Sequence, residues 1–176
     1  MKLIALTGPK QVGKSTVATA IADTLDAETH ILSFADPMRA MLQAMGVDLL
    51  SLVDQSKKES PIAGIGKSPR HLMQTLGTDW GRGMIDEDIW LWSMQHRIDI
   101  AKEQGAQVIV IDDCRFDNEA DFITNQGGTV VLLRRDGIDY GSDLHASEQP
   151  IDFFKISICC DVEDENAASR IVSYEP

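Results

Sequence analysis

The sequence predicts an α/β protein, a parallel five-stranded sheet flanked by helices in three layers. Three observations carry that reading. Short apolar runs alternate with segments of helical periodicity along the chain, the pattern of strands joined by crossover helices. One run, Gln107 to Ile111, reads Gln-Val-Ile-Val-Ile and is apolar on both faces, as a central parallel strand must be. A glycine-bounded loop from Gly8 to Ser15 separates the first strand from the first helix. Parallel folds of this kind place ligands at such strand-to-helix turns.

The elements follow in order. Lys2 to Leu6 is a strand and Lys14 to Leu25 a helix, with Val17, Ala18, Ile21, Ala22 and Leu25 at three- and four-residue steps. His30 to Phe34 is a second strand. Asp36-Pro37 opens a helix to about Met45, with Asp36 as N-cap and Pro37 at the first position. Residues 46–67 lose periodicity and hold Gly46, Pro61, Gly64 and Gly66 with Lys57, Lys58 and Lys67, a loop-rich insertion. Ser68-Pro69 opens a helix to about Leu76, near a Gly77 that loosens or ends it, and Asp86 to Gln104 is a longer one. After the central strand come a helix at Asn118–Asn125, strands at Thr129–Leu133 and Lys155–Cys159, and a closing helix at Glu163–Val172.

Composition excludes several classes. At 176 residues and 19.4 kDa the chain suits one domain. Its net charge of −12 argues against a basic surface that tracks nucleic acid. No apolar run approaches the ~18 residues of a membrane span. The apolar start Leu3-Ile4-Ala5-Leu6 ends at Thr7-Gly8-Pro9, too short for a signal peptide. The three cysteines, Cys114, Cys159 and Cys160, fit neither a disulfide framework nor zinc spacing. A reduced cytoplasmic setting is the simplest reading.

The strongest motif is Gly8-Pro9-Lys10-Gln11-Val12-Gly13-Lys14-Ser15, which fits G-x-x-x-x-G-K-[ST] without departure and lies between a strand and a helix. Gly8 and Gly13 let the backbone wrap so that amides, including those near Lys10 and Val12, point at phosphate oxygens. The helix beginning at Lys14 adds its positive dipole end. Lys14 reaches the β- and γ-phosphates, Ser15 offers a hydroxyl to Mg²⁺, and Thr16 stands near the α-phosphate. A nucleoside triphosphate with Mg²⁺ is the expected ligand. No guanine-reading Asn/Thr-Lys-x-Asp segment follows, so a GTPase is not indicated.

A small-molecule kinase also needs acceptor-binding groups and a lid. Arg70, Gln74 and Thr78 form one polar stripe at about 100° per residue, with Leu72, Met73 and Leu76 facing away; a solvated helix face is the competing explanation. Asp112 and Asp113 end the central strand, where either can hold Mg²⁺ through water or contact the acceptor, and Asp112 is the preferred metal candidate. Arg115 and Glu119 are four apart, a spacing that also suits a helix-surface ion pair. Arg134 and Arg135 leave a strand and can close over the phosphoryl group. Arg39, in a first helical turn where the dipole disfavours it, can serve a phosphate. Trp90 is a candidate for stacking a base, with core packing as the alternative. His145, Ser147 and Glu148 lack the nucleophile turn of a hydrolase triad, and the aspartates before Cys114 argue against a reactive thiol.

Taken together these segments resemble the phage-type deoxynucleoside monophosphate kinases. The matching stretches are the loop at 8–15, Ala35-Asp36-Pro37-Met38-Arg39, Arg70 to Asp79 with its Leu-Met-Gln-Thr-Leu-Gly-Thr core, Asp113-Cys114-Arg115 with Glu119, and His145-Ala146-Ser147-Glu148. The resemblance implies a P-loop kinase fold as a single domain over 1–176, an acceptor-binding insertion at about 36–82 and a lid at about 134–147. It implies ATP- and Mg²⁺-dependent phosphorylation of a 2′-deoxynucleoside 5′-monophosphate. Lys14, Arg115 and Arg134 would be catalytic. Asp36, Arg39, Arg70, Gln74, Thr78, Asp113, Arg115 and Glu119 would bind the acceptor. It further implies a viral protein in a host cytoplasm, with small-molecule substrates, no nucleic-acid or membrane partner, and room for a homodimer. Animal-type phosphomevalonate kinases are similar around Leu-Gln-Thr-Leu-Gly-Thr-like and Asp-x-Arg-x-x-Asn-Glu segments, so an isoprenoid phosphate is the alternative acceptor. A non-catalytic nucleotide-sensing module is the alternative outside enzymes.

Overall fold

The computed structural model describes residues 1–54, 56–141 and 145–175. The chain divides into two compact units: Met1–Ser33 with Met94–Pro176, and Phe34–Ser93. The boundary on the C-terminal side falls within a helix, α5 (Ile89–Glu103). The expected acceptor-binding insertion at 36–82 lies inside the second unit.

The first unit is the sheet. Its strands are β1 (Lys2–Thr7), β2 (Thr29–Leu32), β3 (Val108–Ile111), β4 (Thr129–Arg134) and β5 (Ile158–Asp161). They run parallel in the order β2-β3-β1-β4-β5. The apolar triple Leu3-Ile4-Ala5 of β1 pairs with Ile109-Val110-Ile111 of β3, and both strands are buried. Thr7 at the end of β1 registers with Leu132 of β4. β3 and β4 flank β1, so the chain reverses its direction of winding beside β1. Ligands of open parallel sheets sit at the carboxyl ends of strands around such a reversal.

Helices α1 (Lys14–Thr24), α6 (Asp117–Asn125) and α7 (Ala167–Ser173) belong to this unit. Val17, Ala18 and Ile21 of α1 and Ile171 of α7 join Ile4, Leu6, Val110, Val131 and Leu133 in one core, as the periodicity of α1 requires. Lys2 donates through Nζ to the carbonyls of Val172 and Tyr174, the latter at 2.8 Å. A lysine at carbonyls left open by a helix end complements the dipole.

The second unit holds α2 (Asp36–Ala44), α3 (Leu49–Val53), α4 (Pro69–Gln74) and a π-helical segment, Thr75–Ile85. Ser68 caps α4 by accepting from the His71 N–H, with Pro69 in the first turn. The helix at 36 begins one residue earlier than expected: Ala35 is its N-cap, so Asp36 and Pro37 are its first two helical residues. The loop-rich stretch contains α3, capped by the Asp48 side chain on the Ser51 N–H at 3.1 Å. Leu72, Met73 and Leu76 face away from the polar stripe, as expected, and pack with Leu42, Val47 and Leu52 in a separate core.

Gly77 does not end the helix. The backbone widens into the π form and continues to Ile85. The physical reason lies in side chains packed where ordinary residues would carry a Cβ. A Cβ at Gly77 would stand 2.8 Å from Met38 Sδ, and one at Gly81 would stand 2.5 Å from Trp90 Cζ2. Glycine at these two positions lets Met38 and the indole approach the backbone. Among the described residues no helix is long and apolar enough to cross a membrane.

Candidate functional site

The loop between β1 and α1 folds as its residues require. Gly8 has φ +140°, Gln11 +64° and Gly13 +110°. Gln11 is the only non-glycine residue with positive φ among those described. Left-handed residues in such close succession turn amides toward one concavity, the backbone nest that receives anions. Gly8 is further constrained by contact, since a Cβ there would lie 2.6 Å from the Leu133 carbonyl oxygen of β4. Gly13 is the N-cap of α1. Val12 is fully buried in the sheet core. Its side chain therefore anchors the loop, and any contribution to a phosphate comes from its backbone. Lys10 and Thr16 are exposed.

Lys14 folds over the loop. Its Nζ donates to the carbonyls of Gly8 at 2.7 Å and Pro9 at 2.9 Å. Burial, and secondly the Arg115 guanidinium, lower its pKa to about 8, against the pull of Glu148, Asp113 and Asp112. The ammonium is thus a desolvated charge, which interacts more strongly with a phosphate than a solvated one does.

Asp112, one residue beyond β3, meets two hydroxyls. Ser15 Oγ donates to Oδ2 at 2.8 Å and Ser33 Oγ donates to Oδ1. Ser33 is buried, and its carbonyl accepts from Arg97 Nη1 at 2.6 Å. The loop serine and the strand-end aspartate are therefore brought together, and both offer oxygen ligands. Asp113 is partly buried beside them. No sequence motif marks Ser33, because its link to Asp112 spans 79 residues and has no local signature.

Arg115 follows in the turn before α6. Its Nη1 donates to the Ser147 carbonyl at 2.8 Å and to Glu148 Oε2 at 3.0 Å. Glu119 corrects one expectation. Its side chain accepts from the backbone N–H of Arg115 at 2.7 Å and of Phe116 at 3.2 Å, and the residue is 2% exposed. As the N3 residue it reaches back over the N-terminus of α6 and makes the glutamate half of a capping box, the N-cap Phe116 having no side-chain acceptor to make the other. The i, i+4 spacing thus joins Glu119 to the Arg115 backbone, in a buried position and not on an exposed helix face. Cys114 is buried; burial, then Glu119 and Asp113, push its thiol pKa well above the ordinary value.

Of the two arginines at the end of β4, the one expected to act and the one at the loop differ. Arg134 is exposed, in register with Asp161 of β5. Arg135 lies against the loop: a Cβ at Gly13 would stand 3.4 Å from its Nη2. Its Nε is buried without a hydrogen-bond partner among the described residues. Neighbours on an extended strand point opposite ways, so one of the pair had to turn away, and the sequence does not say which. The expected lid at about 134–147 partly falls on 142–144, outside the described residues. Thr7, Lys10, Arg115, Tyr140 and Glu148 line a small pocket at the loop.

The second unit carries the expected acceptor groups. Arg39 donates through Nη1 to Asp36 Oδ1 at 2.7 Å, and its buried Nε lacks a partner among the described residues. Arg70 donates through Nε to Glu59 Oε1 at 2.5 Å. Arg70 and Gln74 lie on α4 and Thr78 on the π segment, all three partly buried. Trp90 corrects another expectation. It is 4% exposed, and its indole N–H donates to the Gly77 carbonyl at 2.8 Å. With its ring against Gly81 it offers no open face to a base; it braces the π segment.

Comparison with known proteins agrees with these observations. The family model for deoxynucleotide monophosphate kinase matches residues 44–161. That span includes Arg70, Asp113–Glu119 and His145–Glu148 but begins after the loop at 8–15, so the loop motif is an independent observation. A protein of Acanthamoeba polyphaga mimivirus assigned as a deoxynucleotide monophosphate kinase is 34% identical over 163 residues, covering 84% of this chain and 81% of that one. The deoxynucleoside-5′-monophosphate kinase of Escherichia phage T5 is 38% identical over 66 residues, 38% of this chain and 25% of its own length. A tunicamycin resistance protein of Deinococcus radiodurans aligns over 97% of this chain and 93% of its own with 12% identity and a TM-score of 0.46, too distant to bear on function. The family match over most of the chain and the mimivirus relative together show that this chain belongs to the deoxynucleotide monophosphate kinase family.

Proposed function

We propose that the chain carries out its family's reaction as follows: the sheet unit binds ATP with Mg²⁺, the helical unit holds a 2′-deoxynucleoside 5′-monophosphate, and the γ-phosphoryl group passes to the acceptor phosphate. The observation that carries this reading is the meeting of Ser15 and Asp112 beside a desolvated Lys14 at the mouth of a glycine-shaped loop.

A hydroxyl and a carboxylate 2.8 Å apart fit Mg²⁺, which takes oxygen ligands from one or two side chains together with phosphates and water. Ser15 and Asp112 would hold it. When bound, Mg²⁺ neutralises charge on the triphosphate oxygens. The chain's own groups do the rest. The backbone from Gly8 to Gly13 cradles phosphate oxygens, with Lys10 at the rim and Thr16 in the first turn of α1. Lys14 exchanges its two carbonyl partners for phosphate oxygens. Arg115 and Arg135 meet charge that spreads over the transferring group, Arg134 standing further out. Arg39 and Arg70 hold the acceptor phosphate, with Asp36 orienting Arg39. Gln74, Thr78 and Asp113 supply hydrogen bonds to the nucleoside. The attacking phosphate oxygen is already anionic, so no general base is needed. Catalysis is positioning and charge stabilisation.

Product analysis tests the reading. With ATP, Mg²⁺ and a deoxynucleoside monophosphate, ion-exchange chromatography should show ADP and the deoxynucleoside diphosphate in equal amounts. ADP formed at the same rate without acceptor would contradict it.

A further inference from the structure

The segment His145-Ala146-Ser147-Glu148 has no part in the reaction as set out above, yet it is built around Arg115. His145 is the N-cap of a 3₁₀ turn, Ala146–Glu148. Its Nδ1 accepts from the Ser147 N–H at 3.2 Å and lies 2.8 Å from Ser147 Oγ. The turn closes with the Glu148 N–H on the His145 carbonyl at 2.9 Å. So fixed, it presents the Ser147 carbonyl and the Glu148 carboxylate together to one nitrogen, Arg115 Nη1, at 2.8 Å and 3.0 Å. The Glu148 side chain is only 7% exposed against 30% for Arg115. A carboxylate is costly to desolvate unless paired, and this one has its ion pair with an arginine at the rim of the loop.

The other end of Arg115 is equally fixed, its backbone N–H bound by Glu119. A guanidinium has five donors in a rigid planar fork. Clamping Nη1 sets the plane, while Nη2 and Nε keep no partner among the described residues. Arg115 lines the pocket shared with Thr7, Lys10 and Tyr140. The pair is also within electrostatic reach of Lys14, where Arg115 disfavours the ammonium and Glu148 favours it. Glu148 thus offsets the crowding of two cations at one loop.

We propose that Glu148 is a positioning residue: with the Ser147 carbonyl it locks the Arg115 guanidinium at the rim of the phosphate loop, so that the remaining donors meet the transferring phosphoryl group in one orientation. The inference rests on the proposed function. The test is a double-mutant cycle in steady-state kinetics, using the full chain with Glu148→Ala, Glu148→Gln, Arg115→Ala and the double variant. Glu148→Ala should lower kcat about tenfold or more, as loss of an orienting partner does, while KM for ATP stays within about threefold. Glu148→Gln keeps an acceptor oxygen in place and should recover most of the loss. In the Arg115→Ala background, Glu148→Ala should add less than about twofold, because the two residues act as one unit.

Should Glu148→Ala fail to fold, Glu148→Asp replaces it, since the shorter carboxylate retracts from Nη1 with little change in composition. Equal losses in the presence and absence of Arg115, or a glutamine variant no better than the shortened one, would overturn the inference. So would wild-type turnover in every Glu148 variant. A wild-type chain that phosphorylates no acceptor overturns the proposed function, and this inference with it.

Discussion

The sheet unit and the helical unit hold their charged side chains by different means. In the sheet unit two of them are fixed from distant parts of the chain, Asp112 by Ser15 and Ser33 and Arg115 by a turn 32 residues away, while Lys14 is held by loop carbonyls five and six residues back. In the helical unit the partners are local: Arg39 pairs with Asp36 three residues back, and Arg70 with Glu59 eleven residues back. Local carboxylates on flexible stems yield readily to a competing anion, whereas a network spanning strands and loops stays in register.

Substitutions can break that contrast or sharpen it. The largest effect is expected from Lys14→Ala, which should lower kcat by at least about 10²–10³-fold, the usual cost of removing one preorganised charge from a reacting group, with the fold intact by circular dichroism. Asp112→Asn comes next, at about 10²-fold in kcat/KM for Mg·ATP, and raising the Mg²⁺ concentration should restore part of it. Arg70→Ala should act elsewhere. KM for the monophosphate should rise about 10- to 100-fold, matching a lost charged hydrogen bond of ~1.5–3 kcal/mol, with KM for ATP little changed. A rise in the ATP constant instead would erase the division between the units. The smallest effect is on stability: Trp90→Phe removes the bond to the Gly77 carbonyl and should cost about 1–3 kcal/mol, a few degrees in Tm by calorimetry.

How much of this was legible in the sequence follows the same division. β1, β3 and β4 were readable because buried parallel strands are short apolar runs, and the loop because all its chemistry lies within eight residues. The π segment was not readable. Gly77 looks like a helix end, and only the packing of Met38 and Trp90 against glycines shows why the chain widens and continues. The same packing turned Trp90 from a stacking candidate into a brace. Glu119 has the spacing of an ion pair but satisfies backbone N–H groups, a choice made by the turn between β3 and α6. Arg134 and Arg135 are chemically identical neighbours, separated only by which way the strand end turns. Nothing local in the sequence marks Ser33 or the pairing of Glu148, because each bonds a partner far along the chain.

The most direct measurement is ADP release with ATP and Mg²⁺ against dGMP, dTMP, dCMP, dAMP, their ribose counterparts and phosphomevalonate, each beside a reaction lacking acceptor. Turnover that depends on one or more of the deoxynucleotides is the expected result and fixes the base preference at the same time. Turnover with phosphomevalonate alone, or ADP release indifferent to any acceptor, would contradict the assignment of this chain as a deoxynucleoside monophosphate kinase.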